Sequence, residues 1–144
     1  MKISLLLLGL FIFTTTSLSA ANVATKANEF PEEQMRTQNK TIARMFAEEI
    51  SKTLPQKIDK YTDFVKITNN AATIIYTFEI NTGSKSDKSV RDEDRTRMYK
   101  AVRNGICKTS MKFLKAGINI SYIYISTRSK ANLFQFDITQ KDCK

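Results

Sequence analysis

RNGICKTSMKFLKAGINISYIYISTRSKANLFQFDITQKDCK, residues Arg103 to Lys144, holds both cysteines of the chain and two alternating apolar segments. Ile118, Ile120, Tyr122 and Tyr124 alternate with Asn119, Ser121, Ile123 and Ile125, the period of a strand. A polar turn, Thr127 to Asn132, leads to Leu133–Thr139, where Phe134, Phe136 and Ile138 form the apolar set. The two segments therefore read as a β-hairpin. Folding back near Ser129 brings Cys143 beside the helical segment that ends in Ser110–Ala116 and carries Cys107. A Cys107–Cys143 disulfide is expected from that topology, in preference to two unrelated thiols. A loop of this length, once closed, gains about 4 kcal/mol in the chain-entropy description.

Working outward, Gly117 suits the left-handed residue that ends a helix, and Phe113 and Leu114 point that short helix inward. Before it, Ser89 is the expected N-cap of a longer helix, with Asp92 in the capping-box position and Met98, Ala101, Val102 and Ile106 as its buried stripe. Asn104-Gly105 predicts a break ahead of Cys107. Upstream, Tyr61–Thr68 and Thr73–Asn81 alternate around an Asn69-Asn70 turn. Val65 and Ile67, then Ile74, Tyr76, Phe78 and Ile80, form the core-facing sets. A first helix opens at Pro31 with Glu32 and Glu33 at its positive end, runs along Met35, Ile42, Phe46 and Ile50, and stops before Pro55.

The order is α-β-β-α-β-β. It predicts an α+β fold: a four-stranded, mainly antiparallel sheet with helices packed on one face and one disulfide. Phe64, Ile75, Ile123 and Ile125 fall on the other face, where an antiparallel sheet ordinarily shows polar groups to water. They are the expected partner-binding surface, because large uncovered apolar patches mark interaction sites.

The start of the chain has the pattern of a secretory signal. Lys2 precedes an apolar run from Ile3 to Phe13, and Ala20 and Ala21 supply small residues for cleavage. The run is far short of the roughly twenty residues that span a bilayer. Residues 1–21 are thus expected to be a signal peptide, 22–29 a loose leader and 30–144 a single domain. No cysteine lies near the cleavage site, so a soluble periplasmic protein of a bacterium is expected, not a lipoprotein. Loss of Lys2 lowers the formal charge from +9 by one.

Little in the sequence points to catalysis. Histidine is absent, which removes the commonest general base and metal ligand. Asp92, Glu93 and Asp94 sit at a helix start where the dipole accounts for them, and Asp137 and Asp142 flank the last strand without an evident partner. The four glycines of the chain, Gly9, Gly83, Gly105 and Gly117, form no phosphate-cradling loop. A non-enzyme with no cofactor and no metal is expected. The positive charge, including Arg91 and Arg95 spaced for one helical face, reads either as a solvated face or as an anion-binding surface for lipid headgroups or an acidic partner. Nucleic acid is not an expected partner of an exported domain.

Leu54-Pro55, Ile58-Asp59, Thr62, Ile67 and Ile75-Tyr76-Thr77-Phe78 open a longer pattern. Cys107, Leu114, Gly117, Tyr122, Tyr124, Phe136, Ile138 and Asp142-Cys143 complete it. The pattern resembles a group of small exported bacterial α+β proteins with a C-terminal disulfide. In function it is nearest the α/β-type pilotins of type II secretion. That resemblance implies a non-enzymatic accessory factor that docks a peptide or protein segment, such as part of a secretin-like envelope component. Pilotins are typically lipoproteins, and the lipid-bearing cysteine is missing here. The alternative is a basic cell-envelope stress or inhibitor protein that binds anionic lipid or glycan through peripheral membrane contact.

Overall fold

The computed structural model describes residues Glu32–Lys144; the expected cleavage site at Ala20 and Ala21, and the expected boundaries at 21 and 29, lie outside them. Helix α1 spans Glu32–Ser51, strands β1 to β3 span Gln56–Lys57, Thr62–Asn70 and Thr73–Ile80, and helices α2 and α3 span Asp87–Thr109 and Met111–Lys115. Strands β4 (Asn119–Ser126) and β5 (Asn132–Ile138) follow, and a 3-10 turn at Gln140–Cys143 closes the chain. The sheet order is β1-β2-β3-β4-β5. All neighbours are antiparallel except β3 and β4, which run parallel with Tyr76 opposite Tyr122 and Phe78 opposite Tyr124. A parallel pair needs a long crossover, and α2 supplies it.

The α+β class, the helix and strand order and the disulfide agree with the sequence reading; the sheet gains a fifth strand. Strand β1 is two residues long, too short to show a period, and it pairs Gln56 with Phe64 at the sheet edge. The Cα atoms of Cys107 and Cys143 stand 5.4 Å apart in the bridge, within the ordinary disulfide range.

Several details depart from expectation. The β2–β3 register slips between Phe64 and Lys66. One extra residue in a bulged strand turns every side chain beyond it to the other face. Phe64 therefore lies with Ile67 on the helix-covered face, opposite Phe78, and is 6% exposed. It does not join Ile75, Ile123 and Ile125. Helix α1 buries Ala43 and Ala47, whereas Met35 and Ile42 are exposed. Two alanines one turn apart let the helix approach β2 and β3 closely, and the larger Phe46 and Ile50 flank that contact. Asn39 Nδ2 donates to the Ala116 carbonyl at 2.6 Å, beside Gly117 with its φ of +85°. There a side chain would meet both backbone strain and the Asn39 amide.

Helix α2 starts earlier than Ser89. Ser86 is its N-cap, in extended conformation, with its side chain accepting from the Ser89 amide. The helix then runs through Asn104-Gly105 without a break to Thr109. Val102 and Ile106 are buried on either side of that dipeptide and Cys107 is tied to the chain end, so tertiary packing overrides a weak local propensity. Among the described residues nothing lies within 4 Å of where a Cβ on Gly105 would be. Gly105→Ala is therefore expected to stabilise the fold by about 0.5–1 kcal/mol, read as a higher urea midpoint at unchanged slope. A lower midpoint would show that the helix needs glycine there.

Candidate functional site

Both long helices lie on the sheet face that carries Phe64, Ile67, Ile74 and Phe78, where α1 covers β2 and β3 and α2 leans over β5 and β4. Their different lateral positions leave the middle strands incompletely roofed. A groove of about 580 Å³ results. Its floor is aromatic: Phe64, Tyr76, Phe78, Tyr122 and Tyr124. The rings contact one another as a sheet of edges and faces, with centroids 5.0 Å apart for Tyr76–Tyr122, 5.1 Å for Phe78–Tyr124 and 5.1 Å for Phe64–Phe78. Cross-strand registration explains the array, because β3 and β4 place like residues side by side.

One flank of α2 makes the wall through Met98, Ala101, Val102, Gly105 and Ile106. Ala101, expected in the buried stripe, is instead exposed on this wall. Ala101 and Gly105 are small and one turn apart, so the wall stands back from the rings. The opposite lip is the loop after β1, where Ile58 and Tyr61 are more than half exposed. At its far end the groove meets a second hollow of about 700 Å³, with Asp59, Thr62 and Met98 lining both. The second hollow runs on past Ile80, Val90 and Phe134. Together they form one trough along α2. Burial raises the phenol pKa of Tyr76 to about 12, with Tyr122 a lesser cause, and pushes Tyr122 and Tyr124 upward in the same way. All three are therefore neutral O–H groups at any physiological pH, capable of donating within an otherwise apolar surface.

The remaining candidate residues lie elsewhere. Ile75, Ile123 and Ile125 are half-buried on the outward face, where Lys66, Thr68, Gln135 and Asp137 are exposed and, among the described residues, both long helices pack on the other side. Arg91 donates to the Asn132 carbonyl at 3.3 Å and Arg95 lies 5.7 Å over the Phe136 ring, so both cations lean on β5. Each of the carboxylates flagged in the sequence has an ordinary partner. Asp92 pairs with Lys88, Glu93 with Lys85 and Ser89, and Asp94 with Arg97. Asp137 accepts from Gln135 and Asp142 from Thr139. Hydrogen bonds from the Thr139 amide and hydroxyl hold the Asp142 carboxyl below its usual range. Among the described residues no cluster of three metal-ligating side chains occurs, and no helix is long and apolar enough to cross a membrane. What sequence reasoning missed was the groove itself. Alternation marks the aromatic floor but does not distinguish it from filled core.

Residues 37–134 match a family described as Domain of unknown function (DUF8479). The chain belongs to this family. No curated protein matches it in sequence. Three solved structures share the fold of this DUF8479 protein. PA3611 of Pseudomonas aeruginosa, a protein inferred to be secreted, is similar at TM-score 0.68 and 12% identity over 76% of this chain and 96% of its own. The Vibrio vulnificus type 2 secretion pilotin EpsS is similar at 0.59 and 15% identity, over 78% of this chain and 97% of that one. The Vibrio cholerae type II secretion pilotin AspS is similar at 0.57 and 14% identity, over 78% and 98%. At these identities the likeness is one of fold, and it agrees with the resemblance read from the sequence.

Proposed function

We propose that this protein is a non-enzymatic, pilotin-like accessory factor of the bacterial envelope that docks a peptide segment in the aromatic trough. The observation that carries this reading is the trough: an open, aromatic-floored channel between α2 and the sheet, with neutral tyrosine hydroxyls among apolar atoms. Binding pockets combine a mostly apolar lining with a few placed polar groups, and this channel has both. An extended or helical segment fits an elongated trough better than a compact metabolite does. The pilotin fold and the exported character of the sequence point to a segment of a secretin-like component.

The trough takes precedence over the outward face of Ile75, Ile123 and Ile125 because that face is interspersed with exposed Lys66, Thr68, Gln135 and Asp137. The test is anisotropy with labelled peptides tiled along the secretin-like protein of the same cell. Ala101→Glu with Gly105→Glu puts two carboxylates into the groove wall at positions with room for them. Those carboxylates lose hydration on docking, so affinity is expected to fall at least about tenfold, each unpaired buried charge costing upward of about 1 kcal/mol. Ile123→Asp with Ile125→Asp should leave it within about twofold. The reverse pattern would move the docking surface to the outward face.

A further inference from the structure

Behind the disulfide, away from the trough, we propose a phosphate-binding cleft formed by Lys115, Lys141 and Lys144. With Met111, Gln140 and Cys143 these lysines line a hollow of about 360 Å³ that shares no lining residue with the aromatic trough. Among the described residues no carboxylate side chain lines it. None of the three lysines takes part in an ion pair among the described residues. Asp142, which does not line the hollow, accepts from the Thr139 amide and hydroxyl. Arg103 reaches the same chain end, where Nη2 donates to the Lys144 main-chain oxygen at 3.2 Å while Nε is buried without a partner.

The sequence contains no acidic residue from Arg95 to Phe136, and the disulfide ties that stretch at Cys107 to Cys143, between Lys141 and Lys144. These lysines line one hollow with no carboxylate side chain among its described lining, and Arg103 Nη2 meets the main-chain oxygen of Lys144, so the side-chain charge favours entry of an anion. A phosphate group matches them. It is compact and multiply charged, and lysine binds it as a point charge without the planar fork that a carboxylate favours. The covalent tie fixes the turn that carries two of the three lysines, which lowers the ordering cost of binding. The phosphate has two possible sources, a free anion or the headgroup of an anionic phospholipid.

The experiment uses two probes on the exported chain: inorganic phosphate, followed by NMR shifts of the lysine side chains, and phosphatidylglycerol–phosphatidylcholine vesicles, followed by co-sedimentation. Lys115→Gln/Lys141→Gln/Lys144→Gln is compared with the charge-matched Lys40→Gln/Lys60→Gln/Lys66→Gln. For a headgroup, the first variant is expected to weaken vesicle binding about a hundredfold, from about 1 kcal/mol per lysine, and the second by only a few-fold. For a free anion, phosphate shifts concentrate on Lys115, Lys141 and Lys144 and vesicle binding shows no such site dependence. Equal losses in the two variants with no localised phosphate shifts, or no response of the unmodified chain to either probe, would overturn the proposal. The phosphate titration of the unmodified chain stands even where a triple variant folds poorly.

Discussion

Replacing Cys107 and Cys143 together by alanine is expected to lower the unfolding free energy by about 4 kcal/mol, a large share of the 5–15 kcal/mol typical of a domain. The bridge spans a sequence separation of 36. The loop it closes contains α3, β4 and β5, so it includes the strand in the interior of the sheet that pairs parallel to β3 as well as its edge neighbour. Opening it returns chain entropy to the unfolded state without removing any apolar side chain from the core. The melting midpoint should drop by roughly 15 °C for a domain of this size, and reduction of the unmodified protein should reproduce the shift. A loss under about 1 kcal/mol would mean that packing alone pins the closing hairpin.

Phe134→Ala is expected to cost a further about 3–5 kcal/mol in an otherwise unmodified chain, from lost transfer energy plus the cavity left behind. Phe134 is 1% exposed on edge strand β5, stacked on Phe136 at 5.7 Å and edge-on to Tyr124 at 6.4 Å. Phe134 borders the second hollow, yet at 1% exposure nearly all of its ring is packed, so truncation leaves a cavity. Tyr122→Ala provides the contrast, because Tyr122 is only half-buried, on the groove floor. It should cost about 1–2 kcal/mol, since less area leaves water's reach. Chemical denaturation of both variants checks the pair. Equal costs would show that the groove floor is packed as tightly as the core, which leaves no trough.

The same contrast shows what could be read from the chain. Alternation placed Ile74, Tyr76, Phe78, Ile120, Tyr122 and Tyr124 on one face, because side-chain direction in a strand follows from period alone. Period alone does not reveal a bulge. The slip between Phe64 and Lys66 carries Phe64 across the sheet, with no glycine or proline to announce it. Helix α1 was legible as a helix, but not in its buried face. Ala43 and Ala47 make the contact, and a hydrophobicity pattern gives greater weight to Met35 and Ile42. Ser86 and Ser89 both suit an N-cap. The capping-box position of Asp92 favoured the wrong one, whereas Asp87 in the first turn belongs with Ser86. The groove was not legible at all. It depends on where α1 and α2 land across the sheet, and tertiary contacts decide that.

The pilotin-like reading rests on the trough being a docking site. The direct measurement is a side-chain NMR titration of the unmodified protein with the secretin-derived peptide. The account expects saturable shifts at the Tyr76, Tyr122 and Tyr124 rings and the Met98 methyl, with the Ile75, Ile123 and Ile125 methyls unmoved. Shifts confined to those three isoleucines, with the tyrosine rings silent, would contradict it.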